Sequence, residues 1–585
     1  TVEGLRLASS ALTVGGRGAA AEAVGPVTLG ARRFGLGDLA LTDVAGQAAL
    51  DARFEGAALI QAHGALEAAN GRWPLFGATG RDDPADLAAM KQALGDFRLS
   101  VPAFRLTTGS PGTTVALDRP VELRPDNGGV LRIARMGARP VFAARPGEAG
   151  GGAAVLTAQR GRGLPELAVD VPDWRLTPGG FQARIDGRGA LDFDLFRGVT
   201  ARTAGLLVSS NGRLTYAVSD CVAVAVERLE LDQNDVTDLS GRFCPEGAPL
   251  VTVENGGWRA HGRLAGVEAS APFLAMRFSE AEGALRVSGG PNGVALNARV
   301  DAARALDATT PRRFNPLMVS GEAALANETW SGGFDLKSGE TPVGRLTLAH
   351  DGRTGLGGMA IETPMLQFAE GGLQPGGLSP LVQSFVQPPA TGAAQFSGRI
   401  DWRADGEGTS GGRLIVPGLD FVSPAGPVKG LKGRIDFTSL IPLVTAPDQR
   451  LGADRLESLT PLTDAQVQFA IDKAGVSVAA ADIHVAGGVV RVLPFVVPLD
   501  PTQGFSGVIE LENVQLGELL AGSGFGDKAS LDAVVSGRLP FTSTPGRGVR
   551  ISGGALRAVQ PGRLSIQRET LSAVQTGGGG TEVPP

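Results

Sequence analysis

The side chains that could do acid–base or metal chemistry are spread thinly along this sequence. Its four histidines are His63, His261, His350 and His484. They lie far apart, none has a second ligand-type residue at metal-binding spacing, and the carboxylates occupy alternate strand positions and turns. We therefore predict no metal site, no cofactor and no catalytic cluster, and a surface role for His484.

Two short strings resemble catalytic or phosphate-binding motifs. Residues 408–412 match the nucleophile-elbow pattern G-x-S-x-G, but that elbow needs a helix after it, and a strand-like segment follows here. The Gly-rich stretch 146–152 is not followed by a helix with phosphate-binding spacing. Nothing in the sequence therefore indicates an enzyme.

The two cysteines, Cys221 and Cys244, flank strand-like runs and a turn-rich middle. This arrangement favours a disulfide across a hairpin, which would stabilise the fold by roughly 3 kcal/mol in the chain-entropy model. A disulfide would in turn indicate an oxidising compartment. The alternative is a pair of unrelated buried thiols.

Composition favours a long β protein. The chain has 585 residues with 86 Gly and 38 Pro, and only 19% of its residues are charged. Many short strands joined by tight turns fit this better than helices do, in several domains or one elongated repetitive architecture. The net charge of −6 is spread without long runs, so we expect no nucleic-acid partner.

No signal peptide and no membrane-spanning apolar run is found in the sequence. The chain starts without Met in strand-like sequence and ends in a Gly- and Pro-rich stretch. We therefore expect a segment of a longer protein, with any anchor or targeting signal outside it.

A period of two is the clearest pattern and is strongest between residues 414 and 541. In the segment 431–438, the odd positions are Leu, Gly, Ile and Phe, and the even positions are Lys, Arg, Asp and Thr. Successive side chains of a strand point to opposite faces, so this predicts one apolar and one polar face. The candidate residues of the apolar face are Leu431, Ile435, Phe437, Val467, Phe469, Ile471, Ile509, Leu511, Leu531, Val535 and Leu539.

A tripeptide of Gly, Arg and a large apolar residue recurs at irregular spacing. We interpret the glycine as a turn or bulge, the arginine as facing water, and the third residue as returning to the apolar face. It begins at Gly212, Gly241, Gly262, Gly344, Gly398, Gly412, Gly433, Gly537 and Gly562.

A series of short motifs follows in order through the C-terminal third. They are the segment 430–437 with Leu440-Ile441-Pro442-Leu443, Ala446-Pro447-Asp448-Gln449, Pro461-Leu462-Thr463-Asp464 and Phe469, then Ala486-Gly487-Gly488, Leu516-Gly517-Glu518-Leu519-Leu520 and Ser536-Gly537-Arg538-Leu539-Pro540. The order of these motifs resembles the YdbH family of AsmA-like envelope proteins. The resemblance covers residues 378–566 most specifically.

The resemblance implies a periplasmic bridge anchored in the inner membrane, whose elongated, curled, mainly antiparallel sheet forms an apolar groove for phospholipid acyl chains. It implies a membrane anchor outside this segment, and a periplasmic or outer-membrane partner. It also implies a non-enzymatic role in moving phospholipids between inner and outer membranes, which would support outer-membrane lipid homeostasis.

The predicted organisation has four parts. A β-rich part spans 1–212 and includes a short helix at 84–94, and a middle β region with the cysteine hairpin spans 213–377. A YdbH-like β region spans 378–566, and a flexible tail spans 567–585. A second short helix is predicted at 379–387, where Ser379 caps and two prolines follow.

The alternating pattern alone leaves the architecture open. The same apolar residues would form the closed core of β-sandwiches as readily as the floor of a groove. Two other functions also stay open: a structural or adhesive extracellular β-protein, and a binding protein for small dicarboxylates, which is an earlier description of the family.

Overall fold

Strands dominate the computed structural model of the chain. It describes residues 1–36, 38–74, 79–80, 85–193, 195–231, 235–247, 249–254, 256–290, 293–383, 385–405, 408–424, 426–457, 462–500, 502–521 and 529–566. About 71% of these residues are in strands and 5% in helices. The described strands form an antiparallel sheet of 40 strands and a separate two-stranded sheet. The predicted mainly β fold with a few short helices is confirmed.

The first 23 strands, up to residue 326, range from two to 17 residues in length. They are β1 (Val2–Glu3), β2 (Arg6–Ala8), β3 (Thr13–Arg17), β4 (Ala20–Leu36), β5 (Leu39–Glu55), β6 (Ala57–Arg72), β7 (Phe97–Gly109), β8 (Gly112–Leu117), β9 (Val121–Pro125), β10 (Val130–Arg135), β11 (Phe142–Ala144), β12 (Gly151–Gln159), β13 (Glu166–Thr177), β14 (Gly180–Phe193), β15 (Phe196–Ser210), β16 (Arg213–Val218), β17 (Val222–Leu229), β18 (Val236–Cys244), β19 (Val251–Glu254), β20 (Gly257–Ala271), β21 (Met276–Gly290), β22 (Gly293–Asp307) and β23 (Leu317–Ala326).

The remaining strands continue the antiparallel pattern. They are β24 (Thr329–Ser338), β25 (Thr341–Asp351), β26 (Leu356–Glu362), β27 (Leu366–Phe368), β28 (Gln387–Trp402), β29 (Gly408–Ser423), β30 (Gly426–Leu440), β31 (Leu443–Thr445), β32 (Gln449–Leu456), β33 (Leu462–Ile471), β34 (Val476–Val485), β35 (Gly488–Val492), β36 (Phe495–Val497), β37 (Phe505–Gln515), β38 (Ala529–Asp532), β39 (Val534–Thr544), β40 (Gly548–Ile551), β41 (Ala555–Ala558) and β42 (Arg563–Ile566).

The chain divides into two compact units. The first unit comprises Thr1–Phe273, Phe278–Ala303 and Glu322–Glu328, and the second comprises Leu274–Arg277, Arg304–Gly321 and Thr329–Pro585. The four-part division made from the sequence stays a prediction, and its tail at 567–585 lies outside the described residues.

A helix packs on the sheet of the first unit. The helix α1 (Ala85–Gly95) lies where the sequence predicts a helix, although the predicted cap, Asp83-Pro84, lies outside the described residues. Its Leu94 is buried, and the Leu94 carbonyl accepts a hydrogen bond of 2.6 Å from the backbone N–H of Trp73. The nearby core contains Ala31, Leu41, Val44, Ala68, Phe97 and Leu123.

The helix predicted at 379–387 is wrong. The chain instead forms α2 (Pro375–Leu378) and a 3-10 turn at Pro380–Val382, and β28 begins at Gln387. Ser379 does cap, since its hydroxyl accepts from the N–H of Leu381 at 3.3 Å. The helix fails because Gln387 already pairs with Val422 in the sheet, so tertiary pairing overrides the local helical pattern. A third short helix is α3 (Leu516–Ala521).

Candidate functional site

A continuous row of apolar residues crosses the sheet of the second unit. Each member pairs directly with the next on the neighbouring strand, so all of the side chains point to one face. From β29 to β39 this central row is Val416, Gly433, Leu451, Val467, Ala481, Val492, Ile509 and Leu539. We call the side of the sheet that carries it the apolar face.

A bulge keeps β30 in step with this face. Val428 and Ile435 are both buried although one number is even and the other odd. The register shifts between them, where Gly430 adopts a φ of 65° and its N–H donates to Asp420 Oδ1 at 2.8 Å. The same hydrogen bond lowers the pKa of the Asp420 carboxyl. A single bulge therefore changes the parity without moving apolar side chains to the wet face.

The structure places the predicted residues as follows. Leu431, Ile435 and Phe437 lie on β30, Val467, Phe469 and Ile471 on β33, Ile509 and Leu511 on β37, and Val535 and Leu539 on β39. Their parity and register put these residues on the apolar face. Leu531 lies on β38 in the separate two-stranded sheet, where it pairs with Leu564.

The apolar face also extends toward the start of the second unit, which sequence reasoning did not include. One row connects β24 to β30, and a parallel row lies two residues away along the strands. The first is Phe334, Leu346, Ile361, Gly398, Gly412 and Phe437, and the second is Gly332, Leu348, Met359, Ile400 and Ser410.

Two glycines of the repeated tripeptide lie within regular strands, on the apolar face. Gly398 and Gly412 pair directly, and neither has a positive φ. A Cβ at Gly412 would lie 3.2 Å from the ring of Phe396 and 3.3 Å from Leu440. The interpretation of these two glycines as turns or bulges is wrong. They leave room for large neighbouring side chains instead, because they carry none themselves.

The opposite face carries paired charges. Asp482, Arg491, Glu510 and Arg538 occupy one row of β34, β35, β37 and β39. Arg491 Nε lies 3.0 Å from Asp482 Oδ1, and Arg538 Nε lies 2.9 Å from Glu510 Oε1. The arginines of the tripeptides at 399, 413, 434 and 538 are exposed, as predicted. This polar face therefore satisfies its charges within itself.

A second charge cluster on the polar face surrounds Asp436. Arg413 Nε and Arg434 Nε each lie 2.8 Å from one of its carboxylate oxygens. The hydrogen bond from Arg413 is the main cause that holds the pKa of Asp436 below its usual range. Asp436 is therefore ionised over the neutral pH range.

Most side chains of the apolar face are half-buried. Leu451, Val467, Ile509 and Leu539 are neither sealed nor freely exposed. In the described part of the chain, the largest side chains less than 2% exposed are Phe97 and Val514. The fully buried cluster around Val514 includes only Val485 and Leu511 besides it. Other residues of this face are buried, among them Val416, Ile435, Phe469, Ala481 and Val535.

An aromatic group lies at one end of β36, β37 and β39. The ring centroids of Phe495 and Phe541 are 5.6 Å apart, and those of Phe495 and Phe505 are 5.7 Å apart. Beside it, Phe469, Val478 and Phe495 contribute to a pocket of about 360 Å³. This pocket adds apolar surface where the register of β33 and β34 shifts.

The first unit contains the two cysteines. Cys221 and Cys244 form a disulfide that connects the start of β17 to the end of β18, beside the Val222–Phe243 pair. The turn-rich middle predicted for this hairpin spans 232–238; residues 232–234 lie outside the described residues, and β18 already begins at Val236. The bond closes the open end of a two-stranded hairpin.

The residues that the structure describes contain no cluster of metal ligands. No group of three or more His, Cys, Asp or Glu side chains within those ranges is placed to hold a metal ion. Ser410 lies inside β29 and not at a strand–helix elbow. His484 is exposed, but His350 is buried on the apolar face, a position that sequence reasoning missed.

Within the described ranges, no helix has both the length and the apolar composition to cross a bilayer.

Comparison with known proteins gives a family. No curated protein matches the chain. The family YdbH-like, whose description is intermembrane phospholipid transport protein YdbH, matches residues 3–577. This match covers nearly the whole chain and agrees with the mainly β sheet described above. The chain therefore belongs to the YdbH-like family, a family of intermembrane phospholipid transport.

Proposed function

We propose that this chain conducts phospholipids between inner and outer membranes by holding their acyl chains against the apolar face, and so supports outer-membrane lipid homeostasis. The observation that carries the proposal is the central row. It passes through eight successive strands without a charged side chain, and its residues pair directly.

An acyl chain needs a dry, continuous surface and no specific bond. Each buried CH₂ group contributes about 0.8 kcal/mol. Neighbouring positions of the central row, such as Leu451 and Val467 or Ile509 and Leu539, offer a lipid nearly the same surface. A lipid can therefore move from one strand to the next without leaving a deep minimum.

The half-buried state of this face favours a groove over a sandwich. In two packed sheets the inner side chains of central strands interdigitate and lose nearly all contact with solvent. Val467 and Ile509 lie at the middle of long strand runs and are still only half-buried. The face thus has apolar surface left for a ligand.

The proposed mechanism is non-enzymatic and needs no cofactor. Binding and release of acyl chains require neither a nucleophile nor an acid–base pair, and the buried surface alone supplies affinity. We place this segment in the periplasm, with an inner-membrane anchor outside it and an outer-membrane or periplasmic partner.

Lipid binding tests the proposal directly. The purified chain is incubated with phosphatidylethanolamine–phosphatidylglycerol liposomes, re-isolated, and examined by native mass spectrometry. We expect several phospholipids per chain, because the central row repeats across many strands. A chain that binds succinate and no phospholipid would instead support a dicarboxylate-binding protein, and a chain that binds neither would leave a structural β-protein.

A further inference from the structure

His350 and Trp402 form a polar pair on the apolar face of the second unit. They belong to a row of four residues near the ends of four strands. Trp330 on β24, His350 on β25, Gly357 on β26 and Trp402 on β28 pair in one row. We call these four residues the aromatic row. His350 and Trp402 are each 8% exposed, and Trp330 is half-buried.

One hydrogen bond fixes the two rings. The indole Nε1 of Trp402 donates to Nδ1 of His350 at 3.1 Å, and the ring centroids are 6.1 Å apart. The indole lies over Gly357, where a Cβ would approach its Nε1 to 2.3 Å. A side chain at Gly357 would displace the tryptophan, so the glycine is part of this arrangement.

The hydrogen bond determines which nitrogen of His350 carries a proton. An indole N–H can only donate, so Nδ1 must accept and is unprotonated. Nε2 of the neutral ring therefore carries the hydrogen. Within the residues that the structure describes, this Nε2–H has no hydrogen-bond partner.

The surroundings of His350 are apolar on one side and close to solvent on the other. Along the strands, the next row of the same face is Leu348, Met359 and Ile400. On the other side lie residues 352–354, between β25 and β26, and residues 403–405, after β28, and all six are exposed. Aromatic side chains with a polar tip favour such a boundary between apolar and wet surroundings.

We propose that the aromatic row binds the interfacial oxygen of a phospholipid, its ester carbonyl or phosphate, through Nε2–H of His350. The proposal rests on the lipid-conducting function above and adds an orientation to it. The polar end of the lipid lies at the aromatic row, and the acyl chains extend over Leu348, Met359 and Ile400. Nε2 is not one of the buried polar atoms that lack a partner, so the lipid oxygen replaces solvent at this N–H.

The test compares two ligands on the full chain. One is a phospholipid with a fluorescent acyl chain, and the other is pyrene, which has no oxygen. His350→Phe keeps a ring but removes the donor, and His350→Gln keeps both a donor and an acceptor. His484→Phe is the matched control, since His484 is exposed on the polar face.

We expect His350→Phe to weaken phospholipid binding on the order of fivefold and to leave pyrene binding unchanged. His350→Gln should retain most of the phospholipid affinity, and His484→Phe should retain all of it. Equal losses for phospholipid and pyrene would mean a purely structural histidine and would overturn the proposal.

Inorganic phosphate distinguishes a lipid site from a free-anion site. We expect millimolar phosphate to leave phospholipid binding unchanged, because the lipid is held chiefly by its acyl chains. Displacement by phosphate in a His350-dependent manner would overturn the lipid assignment.

The same measurements separate this inference from the proposed function. If the wild type binds both phospholipid and pyrene and His350→Phe changes neither affinity, this inference fails and the lipid-conducting function stands. If the wild type binds neither ligand, both fail.

Discussion

The strands of the second unit have two faces, and the side chains of the two faces differ in the contacts that they make within the protein. On the polar face, Arg491 and Arg538 each contact a carboxylate on a neighbouring strand at about 3 Å. On the apolar face, Val467 and Ile509 contact other apolar groups and remain half-buried. The charged groups of the polar face are paired without a ligand, whereas the apolar face keeps solvent-accessible apolar surface that a ligand could cover. Mutations that exchange the character of the two faces should therefore have unequal effects.

The largest effect is expected from a charge in the central row. Ile509→Asp places a carboxylate between Val492 and Leu539. Desolvating it on lipid binding is costly, so we expect phospholipid affinity to fall by more than tenfold. Ser506→Asp is the control, because Ser506 is exposed on the same strand and pairs with Thr542 on the polar face.

Thermal unfolding followed by circular dichroism checks that Ile509→Asp still folds. Ile509→Thr keeps the branched shape and introduces a weaker polar group, so its loss of affinity should be intermediate. Equal lipid affinity in Ile509→Asp and Ser506→Asp would remove the distinction between the faces.

A smaller effect is expected from adding a methyl group to each face. Gly412→Ala on the apolar face brings Cβ within 3.2 Å of Phe396 and 2.9 Å of the Ser397 carbonyl oxygen, so we expect a loss of about 1–2 kcal/mol in the free energy of unfolding. Gly452→Ala on the polar face has no neighbour nearer than 3.7 Å and should gain up to about 1 kcal/mol by restricting the unfolded chain.

Urea unfolding of both glycine variants measures the difference. A gain in stability for Gly412→Ala would show that the space beside Phe396 is open, contrary to the packing described above.

The smallest effect is expected at the charge pairs. The pKa of Asp436 is lowered chiefly by the hydrogen bond from Arg413. Its carboxylate therefore stabilises the fold at pH values above the unfolded-state pKa of about 3.9. This stabilisation is lost as the pH falls through the lower folded-state pKa. Arg413→Ala should raise the pKa of Asp436 toward its usual value, which a carboxyl NMR titration measures. Lipid binding should not change, and a change would mean that this charge cluster contacts the ligand.

The sequence predicted the two-faced strands because alternation is a local property. Residues 431–437 alternate in the sequence and do so in the sheet. The helix at 379–387 could not be excluded locally, because only the pairing of Gln387 with Val422 ends it. Leu531 belongs to the same alternating sequence pattern as Val535 and Leu539. The structure nevertheless places it in the separate two-stranded sheet, where it pairs with Leu564.

The aromatic row was not predictable from spacing. Trp330 and Trp402 are 72 positions apart in the sequence, and the four residues meet only through the register of four strands. The glycine could have served as a signal, since a glycine inside a strand often marks the close approach of a large neighbour. Such a signal shows that something packs there but does not identify the tryptophan.

The most direct test of the account is photocrosslinking in cells with a crosslinking amino acid at four positions. Phe437 and Phe469 lie on the apolar face of β30 and β33. Arg434 and Gln468 lie on the polar face of the same two strands. The account predicts that phospholipid is captured at Phe437 and Phe469 and not at Arg434 or Gln468. Equal capture at all four positions, or capture at the polar pair alone, would contradict it.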